Sequence, residues 1–392
     1  MNKLKLGIIG VGNMGSAHAK NIKEGKCPEI EIVAVADTDP KRLDWAKEQG
    51  YGKNISYFND DLQMLASGLI DACLIAVPHY DHTWLAMECM KRSIHVMLEK
   101  PAGVYTKQVI EMNKVADQHP EVVFGMMFNQ RTNCVYRKLR ELVQSGKYGE
   151  IRRTNWLITT WYRPQAYYNS GGWRATWAGE GGGVLLNQCP HQLDLWQWIC
   201  GMPVKVDAHL HYGKWHDIEV EDDVTAYVEY ANGATGVFIT STGDAHGTNR
   251  FEVQMDKAKF VVENDVLTMY EYEMTEQEFS RSNTNAFGQL KAEKTVVETD
   301  GQNLGHVGVL NAWAGVILHG GNQVADGREG INGLSLSNAM HLSSFLSKEI
   351  TIPFDDELYY NELKNRIAIS KKKKIVSCEF ADSNAVLDST KS

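Results

Sequence analysis

Short apolar runs alternate with stretches of helical spacing along the first third of the chain. Runs at 4–9, 31–36, 71–77, 94–98 and 121–126 predict strands, and 14–22, 82–92 and 106–118 predict helices between them. Strands linked by helical crossovers build a doubly wound parallel sheet, so an α/β domain is expected over 1–126. After a helix at 132–145 the rhythm changes. Long strands are expected at 150–162, 203–212, 223–230, 234–242, 249–255, 258–264 and 266–273, joined by short turns such as Ala231-Asn232-Gly233. Such connections predict a second α/β domain over 127–370 with a large, open, mostly antiparallel sheet. Residues 274–304 are polar and read as a long surface excursion, and helices at 307–318 and 333–347 close the domain. The stretch 371–392, opening on Lys371 to Lys374, reads as a polar, flexible tail.

The first strand runs directly into Gly10-Val-Gly12-Asn-Met-Gly15 and then a helix. In that setting Gly10 permits the tight turn, Gly12 lets a pyrophosphate approach the backbone, and Gly15 lets the helix pack close to the sheet. The N–H groups around Asn13 and Met14 would face the phosphates at the positive end of the helix. Asp37, followed by Thr38, ends the second strand 22 positions beyond Gly15. A carboxylate there accepts ribose hydroxyls and repels a 2'-phosphate, which favours NAD over NADP, although Lys41 and Arg42 stand nearby.

Length and composition narrow the setting. A chain of 392 residues, 43% of them hydrophobic, can bury two cores. No apolar run reaches the roughly 18 residues of a membrane span, and no long apolar segment with a cleavage site opens the chain. A cytoplasmic protein is therefore expected. The seven cysteines form no Cys-x-x-Cys pair and read as reduced, mostly buried side chains. A net charge of −9 argues against nucleic acid or an anionic membrane as partner. His209 and His211 alternate on a predicted strand near His216 and His246, but no cysteine or carboxylate spacing completes a metal site, and none is expected.

The carboxyl edge of the parallel sheet should carry the ligand, and two loops fall there: Val77-Pro78-His79 and Glu99-Lys100-Pro101. Removing hydrogen from a secondary alcohol needs a hydride acceptor and a base within reach of the hydroxyl. Lys100 suits the second task, because Pro101 biases it away from helix and a desolvated lysine loses its proton more easily. Glu99 orients Lys100 or meets the cofactor. His79 and His82 touch the cofactor, cap a helix or face solvent. Beyond Pro190, His191 lies four residues after Asn187, so both side chains can look into one cleft. Between 156 and 177, Trp156, Trp161, Tyr162, Tyr167, Tyr168, Trp173 and Trp177 interleave with Arg163 and Arg174. Flat rings suit the C–H face of a sugar and the arginines suit hydroxyls or a carboxylate, while the same composition also suits a subunit interface. Asn129 and Arg131 alternate onto one face after the last parallel strand and are candidates to line the cleft. Asp194 reads as a structural hydrogen-bonding residue.

Taken together, the glycine motif at 10–15, Asp37, the strand leading to Pro78, the Glu99-Lys100-Pro101 triplet, Gly181-Gly182-Gly183 and the run from Asn187 through His191 to Asp194 resemble the glucose-fructose oxidoreductase, inositol dehydrogenase and rhizopine-catabolism (Gfo/Idh/MocA) oxidoreductases. The resemblance spans roughly residues 1–370. It implies a Rossmann domain, a C-terminal α/β domain whose open sheet serves a homo-oligomer, dimer or tetramer, and oxidation of a secondary alcohol on a sugar, glycoside or cyclitol. Where the family usually carries aspartate, this chain has Asn187, which can hydrogen-bond a neutral ring or a hydroxyl but cannot pass a proton. His191 is therefore expected mainly to position or polarise the alcohol and Lys100 to carry more of the proton transfer. A glycosidase-like reaction through transient oxidation at C3 and elimination, and a non-catalytic dinucleotide and sugar sensor, are the alternatives.

Overall fold

Leu4–Ile9 is buried at every position but Lys5 and forms β1, inside a six-stranded parallel sheet. The computed structural model describes residues 3–371. There β1 is followed by α1 (Asn13–Lys23), β2 (Ile30–Ala36), α2 (Pro40–Gln49), β3 (Ser56–Phe58), α3 (Asp61–Ala66), β4 (Ala72–Ile75), α4 (His82–Met90), β5 (His95–Leu98), α5 (Thr106–Gln118) and β6 (Phe124–Met126). The interval 40–66 shows little hydrophobic period, and its helices start from side-chain caps instead: Asp39 accepts from the Lys41 N–H and Asp60 from the Gln63 N–H. The strand order β3-β2-β1-β4-β5-β6 reverses between β1 and β4, so the carboxyl ends of those strands open a crevice.

The second unit runs α6 (Cys134–Gln144), β7 (Ile151–Ile158), α7 (Gln165–Asn169), α8 (Pro190–Cys200), β8 (Lys205–Tyr212), β9 (Glu221–Glu229), β10 (Thr235–Ser241), β11 (Asn249–Met255), β12 (Ala258–Glu263), β13 (Val266–Tyr272), α9 (Glu276–Ser282), β14 (Ala292–Val296), α10 (Gly305–His319), α11 (Gly330–Leu346), β15 (Ile350–Thr351) and α12 (Asp356–Ile369). Its nine strands are ordered β14-β13-β12-β11-β7-β10-β9-β8-β15. The pairing of β7 with β10 is parallel and the other neighbours are antiparallel. In β9 exposed and buried residues alternate, as a sheet with one covered face requires. The covered face is aromatic, with Trp156 stacked on Phe251 at a centroid distance of 4.2 Å and Trp196 on Phe238 at 5.4 Å.

Several expectations are corrected by the packing. The strand expected to reach 162 ends at Ile158, where the chain turns over the crevice and is held by the Thr159 N–H on Thr248 O and the Arg163 N–H on Thr242 O. The excursion at 274–304 contains α9, opened by a Thr275–Glu278 capping box, and β14, which extends the sheet beyond β13. Helix α10 does not close the second domain. Its Val309, Leu310, Trp313 and Ala314 share a core with Leu6, Ile8 and Met97 of the first sheet. An apolar helix face fits either sheet, and hydrophobic spacing alone does not say which one it covers. The expected tail beyond Lys371, with Cys378, lies outside the described residues, and no helix among those described is long and apolar enough to cross a membrane.

Candidate active site

At the crevice the backbone itself dictates glycine. Gly10 leaves β1 with φ of +85°, and a Cβ there would lie 2.5 Å from Ala76 O. A Cβ at Gly15 would fall 1.9 Å from Gly10 O, so helix and strand approach only without it. Gly12 differs: a Cβ there meets nothing within 4 Å. It borders a cavity of about 740 Å³ together with Asn13 and Met14. No side chain caps α1, which leaves its first-turn N–H groups for an anion. Asp37 is fixed at the edge of the cavity, one oxygen accepting from the Val11 N–H and the other from the Asp39 N–H, both at 2.9 Å. Thr38, Asp39, Arg42, Asp61 and Trp84 line the same end. Burial, followed by the charges of Asp37, Asp60 and Asp81, pushes the Asp61 carboxyl up to about 6. These groups fit a dinucleotide, with pyrophosphate on the helix start and a ribose at Asp37.

The middle of the cavity is built where β4 and β5 end. Glu99 is buried, yet its carboxyl lies down at about 2: burial works against the charge, while a 2.6 Å hydrogen bond to His18 and the neighbouring cations outweigh it. His306, from the returning helix α10, stands edge-on to His18 at 5.4 Å and is pushed down by burial to about 4. Lys100 follows Glu99, lines the cavity and donates from Nζ to Asn187 O at 2.9 Å. Burial lowers its pKa, Glu99 opposes this, and Arg174 and Arg163 reinforce it. The ring nitrogens of His82 lie 2.6 Å from Pro101 O and 2.9 Å from Val77 O, so this histidine ties the two strand-end loops together. His79 contacts Glu180 O at 3.3 Å and borders the cavity beside Pro78.

Opposite Lys100, α8 begins at Pro190 and presents His191, which is 3% exposed. Neither of its ring nitrogens has a hydrogen-bond partner among the described residues, and burial, with Lys100 next, drives its pKa well down. A neutral imidazole aimed into the cavity results. Asn187 is held from both sides, its carbonyl taking Lys100 and its side-chain amide donating to Glu180. Glu180 is buried and its carboxyl is raised, burial acting first against Arg174, the Ala175 N–H and Asn187. Gln188 Oε1 and Trp161 Nε1, on the cavity wall, are likewise buried without a partner among the described residues.

The structure therefore brings Gly10, Gly12, Asn13, Met14, Asp37, Thr38, Pro78, His79, His82, Glu99, Lys100, Arg163, Trp173, Asn187 and His191 to one cavity. Three other candidates stand apart. Arg131 is 2% exposed and clamped by Asp194 at 2.7 and 2.8 Å and by Glu329 at 2.8 Å, so its fork is spent on the scaffold. Asn129 is buried beside it, and Tyr162, 46% exposed, is not among the residues that line the cavity. Arg174, from the same aromatic run, also lines the site; conversely, Asp61, Trp84 and Gln188 line it and Glu180 supports it without a motif that singles them out.

Comparison with known proteins agrees with this geometry. A family model for the oxidoreductase family with NAD-binding Rossmann fold matches residues 4–126, and one for the GFO/IDH/MocA C-terminal domain matches residues 136–261. The chain is 27% identical over 274 residues to myo-inositol 2-dehydrogenase of Thermotoga maritima, covering 67% of this chain and 75% of that protein. It is 29% identical over 253 residues to D-glucoside 3-dehydrogenase of Escherichia coli, covering 59% and 68%. The solved WlbA dehydrogenase from Bordetella pertussis, in complex with NADH and UDP-GlcNAcA, superposes with a TM-score of 0.75 at 25% identity, over 90% of this chain and 100% of that one.

Proposed function

The chain belongs to the GFO/IDH/MocA oxidoreductase family, and from that premise we propose that it is an NAD-dependent dehydrogenase oxidising a secondary alcohol of a sugar, glycoside or cyclitol. One observation carries the reading: Lys100 and His191, far apart in sequence, line the same cavity as Gly12 and Asp37. The dinucleotide, when bound, supplies the acceptor for the hydride leaving the carbinol carbon. The protein's part is to hold the alcohol and take its proton. Lys100 Nζ, kept beside Asn187 O, takes the proton in its neutral form, and its lowered pKa makes that form more available. His191, neutral and without a hydrogen-bond partner among the described residues, hydrogen-bonds the hydroxyl or its neighbour and fixes the carbon's orientation. Asp37 and Asp39, with Asp61 close by, form an acidic rim that disfavours a 2'-phosphate and hence NADP.

The test is net NADH formation across inositols, monosaccharides and glycosides. NAD should exceed NADP by more than about tenfold in kcat/KM, roughly 1.4 kcal/mol. Lys100→Met should lower kcat by about 10²–10⁴-fold, the usual worth of a general base. Near-normal turnover in that variant beside an inactive His191→Ala would reverse the two roles.

A further inference from the structure

Resting on that reading, we infer that the substrate is an acidic sugar whose carboxylate is held between Arg163 and Arg174. Both guanidinium groups line the cavity at its Lys100 end. Each is braced by aromatic rings: Arg163 lies 5.5 Å from the Trp161 centroid and 5.3 Å from that of Tyr167, and Arg174 lies 4.7 Å from Tyr167 and 4.5 Å from Trp173. Their hydrogen bonds among the described residues go to neutral oxygens. Arg163 donates to Tyr162 O at 2.9 Å and Arg174 to the Tyr167 hydroxyl at 2.9 Å. No carboxylate among the described residues comes within ion-pair distance of either, whereas Arg131, Arg137, Arg152, Arg250, Arg328 and Arg366 each have one.

Charge at this end does not balance without an anion. Lys100 adds a third cation whenever it carries its proton, His79 and His191 are held neutral by burial, and Glu99 is already engaged by His18. The Glu180 carboxyl is raised by burial against the opposing charge of Arg174, lies outside ion-pair distance of it, and is committed to Asn187 and the Ala175 N–H. Two planar forks with no carboxylate partner among the described residues match the two oxygens of a carboxylate. Trp161 Nε1, Gln188 Oε1 and the His191 ring, unpartnered among the described residues, can meet the hydroxyls of the carbon skeleton. A carboxylated pyranose uses every one of these features; a neutral polyol leaves the cations unanswered.

The experiment is calorimetric titration of the intact, NADH-bound protein with glucuronate, galacturonate and mannuronate, each against glucose, galactose and mannose. At least one acid is expected to bind tenfold or more tighter than its neutral counterpart, with the advantage shrinking as salt rises. In Arg163→Gln/Arg174→Gln the acid-to-neutral ratio should collapse, and in Arg163→Lys/Arg174→Lys it should be retained in part. If no acid binds tenfold tighter in the unaltered protein, or glucose 6-phosphate binds tighter than every uronate, the assignment is overturned. NADH formation is scored separately. Tight uronate binding without NADH formation keeps the anion site and sinks the dehydrogenase reading, whereas NADH formation from neutral sugars alone does the reverse.

Discussion

Lys100 must be without its proton before it can take one from an alcohol, so the oxidation rate should rise with pH through a limb set by that lysine. Burial places the limb below the ordinary 10.5, and Arg174 and Arg163 push in the same direction. Arg174→Gln removes one of those cations, so the limb of kcat should move to more alkaline pH; an unchanged or more acidic limb would remove Lys100 from the role. Glu180 acts one step further back, through Asn187. Glu180→Ala should cost about tenfold or more in kcat, the scale on which a slightly displaced group reduces rate. Glu180→Gln should recover part of it, since an amide oxygen still accepts from Asn187, and NADH affinity, measured by fluorescence, reads the cofactor end independently. At this scale Lys100 and His191 are legible because a motif fixes each. Glu180 is not legible, because only the turn at 175–187 brings its carboxylate back to the asparagine.

Elements explain what single residues cannot. The turn from β1 into α1 uses its glycines for different ends, and the difference is measurable. Gly15→Ala drives a methyl group to within 1.9 Å of Gly10 O and should lower both the melting temperature and NADH affinity. Gly12→Val places its Cβ where nothing lies within 4 Å, so the fold should keep its melting temperature while NADH binding falls by more than about a hundredfold. Loss of stability in both variants alike would mean that Gly12 serves packing rather than the ligand. Parallel strands buried on both faces stand out in a sequence as unbroken apolar runs, which is why β1, β4 and β5 are legible. Short elements such as β3 and α3, and the polar edge pair α9 and β14, carry too few apolar positions to show a period and are set by caps and neighbouring strands.

Across the whole molecule the two sheets are tied together by elements that cross between them. Arg131, after β6, meets buried Asp194 on α8 and the partly exposed Glu329 ahead of α11, in a cluster that joins the first sheet's edge to the second domain. Alternation along 129–131 suggests a cleft residue, but the partner that captures the arginine lies 63 positions away and no local pattern reveals it. Arg131→Ala should leave Asp194 buried without its cation and cost about 3–5 kcal/mol by denaturant unfolding.

Helix α10 makes the second tie, and it sets how the protein responds to acid. Its return over the first sheet seats His306 against His18, with Glu99 and Lys100 next in the cluster. His306 is held by burial at about 4 in place of 6.5. Between those values the unfolded chain binds more protons than the folded one, so stability falls as pH drops from 6.5 towards 4. Glu99, lowered from 4.5 to about 2, adds stability above its unfolded pKa and loses it as pH falls through the window below. The two windows adjoin, and the loss should continue from one into the next. Other buried histidines, His79, His82 and His191, slope the same way, so the informative quantity is a difference between proteins rather than one curve. Over pH 6.5 to 4 the parent should lose roughly 3 kcal/mol more than His306→Gln, since each tenfold drop in a group's proton affinity on folding is worth about 1.4 kcal/mol. Denaturant midpoints for the two proteins at matched pH check this. Parallel curves would mean that His306 takes up its proton as freely in the folded state as in the unfolded one, and that the seat α10 provides beside His18 is open to water.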